Sequence, residues 1–269
     1  MYYDVEINEY SPDDVPALTT LWREVFSDEA SLIESFFELL PSMGTGLTAK
    51  SGGELLGAAY VLCSELWCED NSRKKLGYIY AVAVDAAARS NGIGAELVRA
   101  CKRWCWENGI ELIATLPAEP SLYAWYSRRA GFSAVGGCTY DTVLASDEPC
   151  EITRLDADDY GFRRAEILDG KNYVNLYFGW LAFGEALFST YGGGYFASGD
   201  GIACGCLDGD TLMIKEALSD PPEFIPALCR MLGAVKAIVR RSCPDGEPYL
   251  AVVNSADYPP DTHFGLTLD

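Results

Sequence analysis

The chain has 269 residues, 49% of them hydrophobic, enough for one large domain or two of about 130 residues. Its formal net charge of −20 disfavours nucleic acid and anionic membrane as partners, and no apolar run reaches the roughly eighteen residues a membrane span needs. Ten cysteines without a C-x-x-C pair, an acidic N-terminus unlike a signal peptide and a single histidine, His263, point to reduced thiols, a cytoplasmic setting and no metal-ligand set.

Residues 2–10 alternate weakly and read as a first strand. Ser11 and Pro12 suit an N-cap and a first helical position, and Val15, Leu18, Leu21, Trp22, Val25 and Phe26 follow at helical spacing. A second helix is expected over 29–40, ended by Pro41. Residues 44–49 and 55–68 read as strands turned by Ser51-Gly52-Gly53, and 69–75 as a polar loop. In 76–84, Tyr78, Tyr80, Val82 and Val84 alternate with Ile79, Ala81 and Ala83, as in a strand buried on both faces. Asp85, three alanines and Arg89-Ser90-Asn91-Gly92-Ile93-Gly94 then lead into a helix over 95–108. Its inner side carries Leu97, Val98, Cys101, Trp104 and Cys105, and Gly109 closes it. Residues 110–116 are a short apolar strand. A strand–helix–strand unit of this length is a right-handed crossover, so 76–84 and 110–116 should be parallel neighbours. Residues 120–130 read as a helix ended by Gly131-Phe132, and 133–145 as a hairpin-like pair around Gly136-Gly137.

Residues 147–150 resemble a linker. The second half then repeats the order of the first: a strand at 151–155, helical patterns to about 189, and strands at 195–198, 202–207 and 211–217. A helix over 221–240 and a strand over 248–253 complete it. Two domains, 1–146 and 151–269, are the expected division.

The turn at 89–94 has two readings. It is a tight strand–helix connection using glycine for backbone freedom, or a cradle whose free amides and helix dipole suit a pyrophosphate. The charge pattern bears on this. Residues 73–131 hold nine Lys/Arg against five acids, a basic island in an acidic chain, which suits a polyanionic ligand as well as ordinary helix-surface charge. A dinucleotide or S-adenosylmethionine site would need a third glycine where Leu97 stands.

The string V-D-x-x-x-R-x-x-G-I-G over 84–94, ending a strand and opening a helix, resembles the acetyl-CoA signature of the GNAT N-acetyltransferase superfamily. The element order of 1–146 and the aromatic run Tyr123 to Phe132 resemble that family too. The resemblance implies an α+β (α/β) GNAT acyl-CoA N-acyltransferase fold, a mixed central sheet flanked by helices, duplicated with a degenerate C-terminal copy. Residues 216–226, EALSDPPEFIP, lack the Arg-x-x-Gly-x-Gly turn, so the first half would carry the one cofactor site. It further implies that Val82, Ala83 and Val84 hold pantetheine through their backbone while their side chains pack. Arg89, Ser90, Asn91, Gly92, Ile93, Gly94 and Ala95 form the cradle, with Arg89 a contact or a brace. The general acid would be a tyrosine of the last helix. The family's usual slot is Ser127 here, so Tyr126 is the first candidate and Tyr123, one turn earlier, the second. Both also suit packing against the sheet. Glu65, or water held by Tyr78 or Tyr80, would serve as base.

The acceptor would lie near the acidic first helices (Glu24, Asp28, Glu29, Glu34, Glu38) and be a cationic small-molecule or peptide amine, although such acids also suit a solvated face. The expected protein is thus an acetyl-CoA-dependent N-acetyltransferase without metal, a monomer or homodimer. A non-catalytic acyl-CoA-binding regulator is the alternative.

Overall fold

The computed structural model describes residues 4–243, 245–265 and 268. The first half runs β1 (Glu6–Glu9), α1 (Val15–Phe26), α2 (Ala30–Met43), β2 (Gly44–Ser51), β3 (Glu54–Trp67), β4 (Arg73–Val84), α3 (Ile93–Glu107), β5 (Leu112–Thr115), α4 (Pro120–Ala130) and β6 (Ser133–Leu144). The second runs β7 (Thr153–Leu155), α5 (Ala157–Leu168), β8 (Tyr173–Asn175), α6 (Phe178–Thr190), β9 (Gly194–Ser198), β10 (Gly201–Asp208), β11 (Thr211–Leu218), α7 (Phe224–Leu232), β12 (Lys236–Ser242) and β13 (Glu247–Val253).

The chain folds as two compact units, and they do not part at 147–150. One comprises residues 1–66, 73–135 and 250–258; the other comprises 67–72, 136–249 and 259–269. In the first unit the sheet order is β1-β2-β3-β4-β5. β1/β2 and β2/β3 are antiparallel and β4/β5 is parallel, as the crossover rule requires. Residues 251–253 of β13 pair antiparallel with β5. In the second unit the order is β7-β9-β10-β11-β12, antiparallel up to β11 and parallel between β11 and β12. Residues 138–144 of β6 pair antiparallel with β12. The two units therefore share one strand plan, and the last strand of each comes from the other half of the sequence.

Helices cover both faces of the first sheet. Leu18, Leu21 and Trp22 of α1 and Ile33, Phe36 and Leu40 of α2 are buried on one side. On the other, Leu97, Val98, Cys101 and Cys105 of α3 pack with Ile79, Ile113, Tyr126 and Val253. Cys101 and Cys105 act as small apolar groups, and burial raises both thiol pKa values, that of Cys105 to about 12. All ten cysteines are free. Gly77 of β4 lies under α3. A Cβ there would sit 2.8 Å from Cys105 Sγ and 3.2 Å from Val61 Cγ1. Gly77→Val is therefore expected to cost about 1–3 kcal/mol by overpacking, read from urea denaturation.

Several elements differ from expectation. The first strand is only Glu6–Glu9, and residues 2 and 3 lie outside the described residues. α2 runs through Pro41 to Met43, because a proline near a helix end loses one hydrogen bond but keeps a helical φ. Residues 133–144 are one strand rather than a hairpin. A two-residue type I′ loop needs positive φ at both central residues, and only Gly136 has it. The helical pattern before 189 is broken by β8. The helix expected over 221–240 ends at Leu232, where Gly233 adopts φ 77 as C-cap, and the β-branched run after it forms β12.

Candidate functional site

The site begins where β4 and β5 part. Their parallel pairing runs Leu76↔Leu112, Gly77↔Ile113 and Tyr78↔Ala114 and then ends, yet β4 continues to Val84. On its other edge β4 stays beside β3, where Asp85 N–H donates to the Leu56 carbonyl. The peptide groups of 80–84 on the β5 side thus border an open fork. Ala81 adopts φ 46, a left-handed conformation that costs a non-glycine residue about 1–2 kcal/mol. It breaks the strict alternation expected of this strand and leaves Tyr80, Ala81 and Val82 half-buried, while Ala83 is buried.

The turn after Val84 is built by its own side chains. The Asp85 carboxylate accepts from Ala87 N–H at 2.8 Å. Arg89 Nε donates to the Val84 carbonyl at 3.1 Å, so this arginine braces the strand end. Asn91 Nδ2 donates to the carbonyls of Ala88 and Arg89, both at 3.1 Å. Ser90 and Gly92 adopt φ 66 and φ 85, which fold the chain back toward the strand. The first intrahelical bonds of α3 are those from Ala95 and Glu96 to the Gly92 carbonyl, so the amides of Gly92, Ile93 and Gly94 precede the ladder. Residues 89–92 are exposed, whereas Ile93 and Ala95 point their side chains into the core and offer only backbone outside it. A Cβ at Gly92 would meet nothing within 4 Å. At Gly94 it would lie 3.6 Å from Val84 Cγ2 and 3.9 Å from the Trp125 ring. The arrangement is an exposed, positively polarised nest of amides beside an open strand, suited to an anion with an extended polar tail.

α4 reaches this place through Trp125, which sequence reading had not singled out. Its ring meets Tyr126 edge-on at 4.9 Å. Tyr126 is buried, against Phe132 at 5.5 Å and the α3 face. Burial raises its phenol pKa, and a hydrogen bond with the Thr115 side chain opposes that rise. Thr115 Oγ1 itself donates to the Ile79 carbonyl at 2.9 Å. Tyr126 therefore lies beside Thr115, at the position where β4 and β5 separate. Thr115 was also missed, lying at the end of a strand read only as apolar. Tyr123 is half-buried at the edge of the same cluster, and Ser127 is exposed.

Part of the basic island serves the fold. Arg99 donates to the Arg129 carbonyl at 3.0 Å and pairs with Glu96 at 2.7 Å, and Lys102 donates to the Ala130 carbonyl, so both cap the C-terminus of α4. Of the acids on the first helices, Glu24, Asp28 and Glu29 line an open pocket of about 540 Å³ with Thr20 and Arg23. Asp28 accepts from Trp22 Nε1 at 2.8 Å. Glu34 and Glu38 lie on the exposed face of α2. Among the described residues no group of His, Cys, Asp and Glu is arranged to hold a metal ion, and no helix is long and apolar enough to cross a membrane.

Comparison with known proteins adds a family match over part of the chain and a fold. The pattern of the acetyltransferase (GNAT) family matches residues 9–132. No curated protein matches the chain. Among solved structures, a conserved protein of unknown function from Enterococcus faecalis V583 superposes with a TM-score of 0.71 at 14% identity, over 92% of this chain and 72% of that one. A GCN5-related N-acetyltransferase from Kribbella flavida gives a TM-score of 0.66 at 16% identity, over 93% and 71%. One from Anabaena variabilis ATCC 29413 gives 0.66 at 13% identity, over 92% and 72%. At these identities the likeness is one of fold, and it extends beyond residue 132.

Proposed function

We propose, for a chain whose residues 9–132 match the pattern of the acetyltransferase (GNAT) family, that the protein moves an acetyl group from acetyl-CoA to a primary amine. The observation that carries this reading is the continuity of the open fork at 80–84 with the amide nest at 90–94, joined by the Arg89–Val84 bond. Pyrophosphate in the nest would lay pantetheine along Val82, Ala83 and Val84 and bring the thioester to the fork. The amine attacks the carbonyl carbon, the tetrahedral intermediate collapses, and the CoA thiolate leaves with a proton. Tyr126 is the acid we assign, because its hydroxyl lies at Thr115 beside the parting strands and burial keeps it protonated. Glu65, or water at Tyr78 or Tyr80, would take the amine proton. The pocket with Glu24, Asp28 and Glu29 favours a cationic small-molecule or peptide amine, and a polyamine or an aminoglycoside has that character. We read the second unit as a degenerate copy and the setting as cytoplasmic, with a monomer or homodimer as the state.

Calorimetric titration with acetyl-CoA and a thiol-release assay over an amine panel test this. Tyr126→Phe should lower kcat about 100-fold or more and leave acetyl-CoA affinity within about threefold. A silent Tyr126→Phe with a damaging Tyr123→Phe would move the acid one helical turn. The core packing of Tyr126 favours a second reading, an acyl-CoA-binding regulator, and binding without turnover on every amine would select it.

A further inference from the structure

The second unit has a fork of its own. β11 and β12 pair in parallel up to Ile214↔Val239, while β11 continues to Leu218 and β12 to Ser242. Against β10 the register slips between Cys204↔Glu216 and Gly205↔Ile214, leaving Lys215 as the bulged residue. A cavity of about 180 Å³ opens there, and its wall includes Lys215, Arg240, Arg241, Ser242, Tyr249 and His263.

The chemistry of this wall differs from that of the first fork. It presents three fixed cations, a histidine and two hydroxyls. Its one carboxylate, Glu216, is already engaged by Arg164 at 3.0 Å and by His263 at 2.5 Å. Arg240 is buried and held in place, stacked 4.6 Å over the Tyr249 ring and donating to the Gly265 carbonyl at 2.5 Å. Arg241 is fixed by a two-pronged pair with Asp220, 2.7 Å on each arm, and lies 3.5 Å from Asp141. A concentration of cations around a small cavity, in a chain of net charge −20, favours an anion.

CoA does not fit it. α7 opens after Glu223, where α3 opens after Gly92, so pyrophosphate would meet a carboxylate. The volume is also below the roughly 300–1,000 Å³ of ordinary ligand pockets, and at about 30 Å³ per water it holds some six waters or one small molecule.

We propose that this second fork binds a small oxyanion, a carboxylate or phosphate group on a small metabolite, gripped by Lys215 and Arg240 with Ser242 as a hydroxyl partner, while Tyr249, whose hydroxyl donates to the Gly265 carbonyl at 3.0 Å, holds Arg240 in place. The proposal stands apart from acetyl-CoA binding. It is tested on the full chain by calorimetry with inorganic phosphate and with malonate, at constant ionic strength set with chloride. At least one probe should bind, and the one that does identifies the class. Lys215→Gln should weaken it about tenfold and Lys215→Glu should abolish it, the loss of one charge-assisted bond and its replacement by repulsion. Acetyl-CoA affinity should stay unchanged in both variants. If Lys215→Glu does not fold, Lys215→Gln alone decides. Failure of both anions to bind, equal binding to wild type and the Lys215 variants, or equal stabilisation by chloride would overturn the proposal.

Discussion

Gly92→Asp is expected to weaken acetyl-CoA binding at least 100-fold, whereas Gly92→Asn should cost much less. Gly92 has φ 85, a region where aspartate and asparagine are the best tolerated side chains, so both variants should keep the turn. A Cβ there enters open space, so neither variant disturbs packing. They differ only in charge. The amides of Gly92, Ile93 and Gly94 and the positive end of α3 are the features assigned to pyrophosphate, and an aspartate would compete for them and repel the ligand. Two lost or opposed charge-assisted bonds of about 1.5 kcal/mol each correspond to roughly a 100-fold change. Titration calorimetry at low and high salt reads it, and the gap between the two variants should narrow as salt rises. Equal affinities for Asp, Asn and wild type would remove pyrophosphate from this turn.

The site could be read from sequence where its chemistry lies in the backbone. The turn at 89–94 announces itself because only glycine and small polar residues allow its φ values, and Arg89 took the bracing role left open for it. The fork was hidden. Ala81 carries the left-handed kink and Thr115 ties the strand end, yet an alanine in a strand and a threonine after an apolar run look ordinary. Their roles depend on where pairing stops, which is a property of two strands and not of one. The exchange of last strands was hidden for the same reason. β6 and β13 are each apolar enough to lie beside β5 or β12, and nothing local says which. The strand β12 was misread although its signal was present. Gly233 directly after Leu232 is a helix stop, and a pattern carried past it to 240 ignored the cap.

The largest stability loss should come from Glu216→Gln, at about 3–5 kcal/mol, the usual cost of stranding one member of a buried ion pair. Glu216 is buried and accepts from Arg164 at 3.0 Å, from Tyr160 at 2.6 Å and, at 2.5 Å, faces His263. Arg164 also donates to the carbonyls of Val174 and Phe264, at 2.8 and 3.1 Å, so it cannot leave for water without uncoupling α5 from the segment after residue 259. Burial alone would raise the Glu216 pKa. Arg164 and His263 overcome that and hold the carboxyl well below the usual carboxylate range. A carboxyl depressed in the folded state stabilises fully above its unfolded pKa of about 4.3, and that contribution drains away as pH falls below it. Wild type should therefore lose stability between pH 6 and pH 3 more steeply than Glu216→Gln, whose side chain does not titrate. Urea denaturation of both proteins across that range, with hydrogen exchange to follow the second unit, makes the measurement. A cost under about 1 kcal/mol at pH 7, or parallel pH profiles, would mean that the amide satisfies Arg164 as well as the carboxylate does and that the charge itself contributes nothing.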